Sequence, residues 1–82
     1  MRDKAIFPAS FIKDRNVTAA QFRIYGVIQM HAQNGEARPT IQALSAATGI
    51  DSSRVCMTLK KLENGGWIER RKDGQRNVYV LR

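Results

Sequence analysis

The most constraining feature of this chain is a pair of short helical patterns, at residues 40–48 and 51–64, separated by Gly49 and Ile50. Thr40 is a residue type that caps helix N-termini, and Gly49 can adopt the positive φ with which many helices end. Apolar residues recur at helical spacing on both sides of the glycine, so each helix has one face to bury. In the second of these helices the inward residues are Val55, Leu59 and Leu62. The pattern predicts two helices that pack across a tight turn.

The opposite face of the 51–64 helix carries hydroxyl, guanidinium, thioether and ammonium groups. The outward residues, with their neighbours at its edges and start, are Ser52, Ser53, Arg54, Met57, Thr58, Lys60 and Lys61. The nearest acids, Asp51 and Glu63, stand at its two ends, so no carboxylate on this face would repel a phosphate. We predict that the face meets base edges and phosphates of duplex DNA, with Arg54 as the candidate for a bidentate guanine contact and Lys61 for a phosphate.

Residues 67–82 have the composition of a β-hairpin, since two β-rich runs flank the turn sequence 72–75. Asp73-Gly74 in this turn is a strong tight-turn signal. Strand alternation leaves open whether positions 78 and 80 or positions 79 and 81 face the core. Four cations gather near the tip in either register, namely Arg70, Arg71, Lys72 and Arg76. We predict that they grip neighbouring phosphates or enter the minor groove.

The front half of the chain predicts an N-terminal extended segment over residues 1–17 and a helix over residues 18–34. Pro8 disfavours helix in the residue before it, so residues 5–12 are expected to be extended and to lie over the core. Thr18 begins the helix with a capping box, and Asn34-Gly35 is expected to end it. His31 falls on the inner face of this helix and is predicted to be packed or partly buried.

Composition bounds the function without naming it. The 82 residues fit one domain, and 14 Lys and Arg against 7 Asp and Glu give a net charge of +7, which favours polyanions. No apolar run approaches the roughly 20 residues that span a bilayer, and the start lacks the apolar stretch of a secretory signal, so a cytoplasmic, nucleoid-associated protein without membrane contact is expected.

Catalysis and metal binding are not indicated by the residue content. One cysteine, Cys56, and one histidine cannot form a disulfide framework or a multi-ligand metal site, and Cys56 is expected to be a small hydrophobe at the edge of the apolar stripe. There are no paired carboxylates in an apolar setting, no nucleophile matched with a histidine and no glycine-rich phosphate loop. We expect no enzyme activity, no cofactor, no metal and no small-molecule effector.

The runs 44–50, 59–63 and 66–70 resemble the winged helix-turn-helix pattern of bacterial transcription regulators, including those of the multiple-antibiotic-resistance-regulator type. This resemblance implies an α+β fold of three helices with a C-terminal β-hairpin wing. It implies that the 51–64 helix is the recognition helix, that Ser53, Arg54, Met57 and Lys61 face base or phosphate, and that residues 70–76 form the wing. Ser45 stands where such sequences usually carry alanine, and the long flanking dimerisation helices of larger regulators have no counterpart here.

The runs 6–12 and 17–25 are similar to the opening of winged-helix domains at the N-termini of phage and plasmid replication proteins. Three functions therefore stay open. They are a small repressor or activator encoded by a phage, plasmid or chromosome, an origin-binding part of a longer replication initiator, and a winged helix used for protein interaction. For double-stranded DNA, useful specificity from so small a chain needs two copies, so a homodimer through the first helix or the N-terminal segment is expected.

Overall fold

The structure is a computed structural model that describes residues 7–82. Within this range the elements are α1 (Ala9–Lys13), α2 (Ala19–His31), β1 (Glu36–Ala37), α3 (Ile41–Thr48), α4 (Ser52–Asn64), β2 (Ile68–Asp73) and β3 (Arg76–Leu81). The strands form one antiparallel sheet in the order β1-β3-β2. The three predicted helices are α2, α3 and α4, and β2 and β3 form the predicted hairpin. The α+β winged helix-turn-helix fold expected from the sequence is confirmed.

The hydrophobic core lies where the helices meet the sheet, since one apolar stripe of each element can be buried there. Its most buried large side chains are Tyr25, Tyr79, Phe11, Ile24, Ile28, Leu44, Leu59, Leu62 and Val55. Because Val55, Leu59 and Leu62 are all buried, the rotation of α4 about its own axis is fixed and its opposite face points to solvent.

Helix α2 begins as the sequence predicts and ends earlier. The Thr18 hydroxyl accepts a hydrogen bond from the backbone N–H of Gln21 at 3.2 Å. The helix stops at His31, because Asn34 and Gly35 both adopt positive φ, 55° and 79°, and close a two-residue turn between positions 33 and 36. Asn-Gly is a preferred sequence for such hairpin turns. The prediction of helix to residue 34 was therefore wrong, and the short strand β1 was missed.

His31 is exposed, which corrects the expectation that it is packed. It is the last residue of α2, and the chain leaves the helix at Ala32 with extended backbone angles. His31 therefore lies outside the core, although its helical spacing continues that of the buried Ile24 and Ile28.

Part of the predicted N-terminal extended segment is helical. Pro8 precedes the first turn of α1, where its missing N–H is no loss, and its carbonyl accepts from Phe11 and Ile12. The proline rule constrains only the residue before Pro8, so the extended prediction is wrong for residues 9–13, while Ala5 and Ile6 lie outside the described residues. The helix carries Phe11 into an aromatic cluster, where its ring meets that of Trp67 edge-on at 4.9 Å.

The turn between α3 and α4 is held by hydrogen bonds at both ends. The Thr40 hydroxyl caps α3 by accepting from the Ala43 N–H at 3.0 Å, and Gly49 ends α3 at a φ of 73°. The Ser45 hydroxyl donates to the carbonyl oxygen of Ile50 at 2.6 Å, so the serine that replaces the usual alanine ties α3 to the turn. Asp51 is the N-cap of α4, and its carboxylate accepts from the Ser53 N–H at 3.2 Å.

The wing hairpin turns one residue later than the sequence suggested. Asp73 pairs with Arg76 inside the ladder, so Gly74 and Gln75 form the two-residue turn, with Gly74 at a φ of 64°. Glycine at the first central position is the preference of type II′ hairpin turns. Neither alternative for strand alternation holds alone, because the adjacent residues Val78 and Tyr79, which point to opposite faces of β3, are both buried.

Candidate nucleic-acid interface

The solvent-facing side of α4 has a crest of three exposed residues, Ser53, Met57 and Lys60, which lie within about 60° of arc at 100° per residue. Met57 retains 59% of its surface, an unusual exposure for a large apolar side chain. Arg54, Lys61 and Ser52 are also exposed. The crest carries no carboxylate, so its polar and apolar groups are open to an anionic partner.

Two further residues lie at the edges of this face. Thr58 is only 5% exposed, and its hydroxyl donates to the Arg54 carbonyl at 2.7 Å, so the hydroxyl hydrogen is engaged within its own helix. Thr58 also lines a hollow beside α2, so its place in the DNA interface stays a prediction. Cys56, expected to be a small hydrophobe at the edge of the apolar stripe, is exposed.

The two flanks of α4 have different neighbours. Arg54 and Lys61 are seven residues apart, so they lie within about 20° of each other on one flank. Both line a hollow of about 300 Å³ whose other walls include Thr18, Ala19 and Ala20 at the start of α2. Glu63 is nine residues from Arg54 and lies on the opposite flank, where its carboxylate accepts from the Arg70 guanidinium of β2 at 3.3 Å. That ion pair joins the end of α4 to the base of the wing.

The four predicted wing cations are all exposed, but they do not have equal freedom. Arg70 is paired with Glu63, and Arg71 with Glu69, which also pairs with Arg82. In the described part of the chain Lys72 and Arg76 have no ion pair. A phosphate must compete with a carboxylate for a paired arginine. The unpaired cations at the tip of the wing are therefore more available to a phosphate than Arg70 and Arg71.

The first turn of α4 is organised by Asp51. Its carboxylate accepts from both the hydroxyl and the backbone N–H of Ser53, and the hydroxyl hydrogen bond is the main cause that holds the pKa of Asp51 below its usual value of 3.8. The Ser53 hydroxyl hydrogen is thereby committed, so toward an outside ligand this hydroxyl acts as an acceptor.

Arg38 is a cation beside the wing that sequence reasoning missed. Its guanidinium lies 3.3 Å from Glu36 and 4.0 Å from Asp73, beside the wing. With Arg76 it lines a second hollow, of about 430 Å³, that opens at the start of α3. Had Asn34-Gly35 been interpreted as a hairpin turn, residues 36–38 would have been placed on a strand next to the wing.

Among residues 7–82 no three His, Cys, Asp or Glu side chains come together to hold a metal ion. In the same range no helix has both the length and the apolar character required to cross a bilayer.

Comparison with known proteins gives a family-level result. The sequence profile of the MarR family matches residues 15–76, which span α2 through the start of β3. The matched region contains the crest and both flanks of α4 as well as the four wing cations. Searches of curated proteins and of solved structures returned no match.

Proposed function

The chain belongs to the MarR family of winged-helix transcription regulators, which bind DNA and are not enzymes, and from this premise we propose that it binds double-stranded DNA sequence-specifically. In this proposal α4 enters the major groove and the wing rests on the adjacent backbone. The proteins of this family often act as dimers, and we extend that to this chain as a homodimer on two half-sites. A cytoplasmic location remains the corresponding prediction.

The observation that carries the proposal is the exposed face of α4, free of carboxylates on its crest and bounded by cations on the α2 side. A helix of 13 residues is about 20 Å long, and a major groove about 12 Å wide admits one such helix. With Val55, Leu59 and Leu62 buried, the helix can offer DNA no other face.

The chemistry of the crest suits base edges. Met57 is an apolar group that can contact a thymine methyl, Lys60 can donate to guanine acceptors, and Ser53 can accept from a base amino group. In the free protein the apolar side chain of Met57 is exposed to water, which is unfavourable, whereas the major groove would cover it.

The wing supplies the backbone contacts in this proposal. Lys72 and Arg76 flank the Gly74-Gln75 turn and have no ion pair within the described residues, so phosphates meet no internal competitor there. Arg70 and Arg71 would exchange a carboxylate for a phosphate on binding.

A salt titration tests DNA binding directly. A fluorescent 24-base-pair duplex of random sequence is titrated with the protein at several salt concentrations, and anisotropy gives the dissociation constant. If about five phosphates are neutralised, the logarithm of affinity falls with the logarithm of salt at a slope near −4 to −5. A flat dependence would instead favour a protein-interaction module and would contradict the proposal.

The wing is tested by replacing Lys72 and Arg76 together with alanine. Loss of two phosphate contacts makes the slope shallower by about 1.8 and weakens specific and random duplexes equally, because phosphates carry no sequence information. Gln75→Ala, an uncharged change in the same turn, controls for damage to the hairpin and should leave the slope unchanged. If the double variant lost its preference for specific over random duplexes, the wing would contact bases, which would contradict its assignment to phosphates.

Selection of bound duplexes from a random pool distinguishes the biological roles. A palindrome with closely spaced half-sites would support a dimeric transcription regulator. Tandem direct repeats would support the alternative, an origin-binding part of a replication initiator.

A further inference from the structure

The proposed function leaves unassigned the hollow between α4 and the start of α2, which is lined by two cations. We infer that it is a seat for one DNA backbone phosphate, held jointly by Arg54, Lys61 and the first backbone N–H groups of α2. This inference rests on the proposed function and deepens it, because it changes the role of Arg54 from the guanine contact that the sequence predicted to a phosphate contact.

The two cations are free to take an anion. Arg54 and Lys61 are both exposed, and within residues 7–82 neither forms an ion pair, whereas Arg38, Arg70, Arg71 and Arg82 all do. The two side chains start two helical turns apart, about 10.5 Å along the axis, and both line the same recess of about 300 Å³. A phosphodiester placed between them would meet a guanidinium from one end and an ammonium from the other.

The floor of the recess adds donors at close range. Thr18 satisfies the N–H of Gln21, and the carbonyl of Thr18 accepts from Phe22. The N–H groups of Ala19 and Ala20 belong to the first turn of α2, whose N–H groups have no partner within the helix. The side chains at these two positions are single methyl groups, so an anion can approach the backbone, and the helix dipole favours it there.

The carboxylates near this recess already accept hydrogen bonds from neighbouring groups. Asp51 precedes Arg54 at the start of α4, but its carboxylate accepts from the Ser53 hydroxyl and N–H. Asp14 lines an adjoining hollow together with Lys61 and accepts from the Asn16 N–H at 2.9 Å. Neither acid lines the recess itself, so its lining holds two positive side chains and no negative one.

Position on the helix separates a phosphate role from a base role. The crest formed by Ser53, Met57 and Lys60 is the part of α4 that projects furthest, and therefore the part that reaches base edges on the groove floor. Arg54 lies on the flank beside α2, where the wall of the groove, a phosphate backbone, would run. An arginine held in this recess neutralises charge and orients α4 without reading sequence.

The test combines variants with a scan of the DNA. In a 24-base-pair duplex recovered by selection, each phosphate in turn is replaced by an uncharged methylphosphonate, and anisotropy measures binding by wild type and by Arg54→Ala/Lys61→Ala. We expect one position per bound protomer at which the replacement weakens wild type about tenfold or more but leaves the double variant unaffected. Lys60→Ala, a cation removed from the crest, is the control and should stay sensitive at that position.

The salt dependence gives a second, independent readout. One shared phosphate predicts that Arg54→Ala/Lys61→Ala makes the slope shallower by about 0.9, and two separate phosphates predict about 1.8. Arg54→Ala should leave the selected sequence motif unchanged.

Three outcomes would overturn the assignment. One is a position in the selected motif at which Arg54→Ala loses the preference for a particular base. Another is a salt slope that becomes shallower by about 1.8 in Arg54→Ala/Lys61→Ala. The third is a methylphosphonate scan in which wild type binds the unmodified duplex normally, but every position affects wild type and the double variant equally. A wild-type chain that binds neither selected nor random duplexes would overturn the proposed function, and the phosphate seat with it.

Discussion

Replacing Glu63 by glutamine should strengthen DNA binding, because Glu63 holds Arg70 in the free protein. The carboxylate and guanidinium are 3.3 Å apart, and each side chain keeps 35% of its surface. At that distance two unit charges attract by about 1.3 kcal/mol in a medium as polar as water, and pairs this exposed are worth about 0.2–1 kcal/mol after screening and side-chain ordering. When Arg70 leaves Glu63 to bind a DNA phosphate, that stabilising free energy is lost and the affinity for DNA is lower by the same amount.

The substitution removes this competition and keeps the shape of the side chain. We expect the affinity for a random 24-base-pair duplex at about 0.1 M salt to rise about 1.4- to fivefold, the factor that corresponds to about 0.2–1 kcal/mol. The gain should shrink as salt rises, since salt screens the pair. Glu63 lies in the last turn of α4, where a negative charge opposes the helix dipole, so its removal should not destabilise the helix.

Two controls separate this mechanism from a general effect of charge. Glu36→Gln makes the same change in net charge beside Arg38 and should give a smaller gain. Arg70→Ala should abolish the gain from Glu63→Gln in the double variant, because the benefit acts through Arg70. Equal gains from Glu63→Gln and Glu36→Gln, or a full gain in the absence of Arg70, would refute the reasoning.

Three further predictions concern the scaffold that presents the interface. The Tyr79 hydroxyl is buried without a partner among the described residues, so Tyr79→Phe should raise the free energy of unfolding by up to about 1–3 kcal/mol in urea titrations. Burial also raises the pKa of this phenol above 10.0, so wild type should lose more stability than Tyr79→Phe as pH rises above 10; equal alkaline loss in both would contradict the burial argument. Ser45→Ala breaks the hydrogen bond to the Ile50 carbonyl and should cost about 1 kcal/mol, a fall in Tm of about 4–8 °C by calorimetry, whereas an unchanged Tm would show that the bond contributes nothing. Asp51 has a lowered pKa, so its contribution to the start of α4 is complete above pH 3.8 and is lost as pH falls through the lower folded value. The Ser53 amide shift in NMR should therefore titrate with a midpoint below 3.8, and a higher midpoint would contradict the capping role.

The sequence by itself determined the order and type of the main elements, because these depend on local chemistry. Thr18 and Thr40 can cap the helices that follow them, Gly49 can adopt positive φ, and the apolar spacing in α4 selects its inner face. These signals act over a few residues and needed no knowledge of distant parts of the chain. The winged helix-turn-helix fold and most of the exposed residues on α4 followed from them.

Errors arose where two local structures were possible and a distant contact chose between them. Asn34-Gly35 suits both a helix end and a hairpin turn, and the pairing of Glu36 with Val80 in β3 selects the turn. The segment around Phe11 could be extended or helical, and the helical form buries that ring against Trp67.

Only the tertiary structure decided which charges act together. The sequence gathered the basic residues of the wing, but the carboxylate partner of Arg70 comes from another part of the chain, because Glu63 lies on α4. It likewise offered no means of joining Thr18 to Arg54 and Lys61, which share one recess only because α2 packs across α4. Helix propensity and apolar spacing are local properties, whereas ion pairing and recesses depend on how distant elements pack, and that is why the fold was predictable and the finer electrostatics of the interface were not.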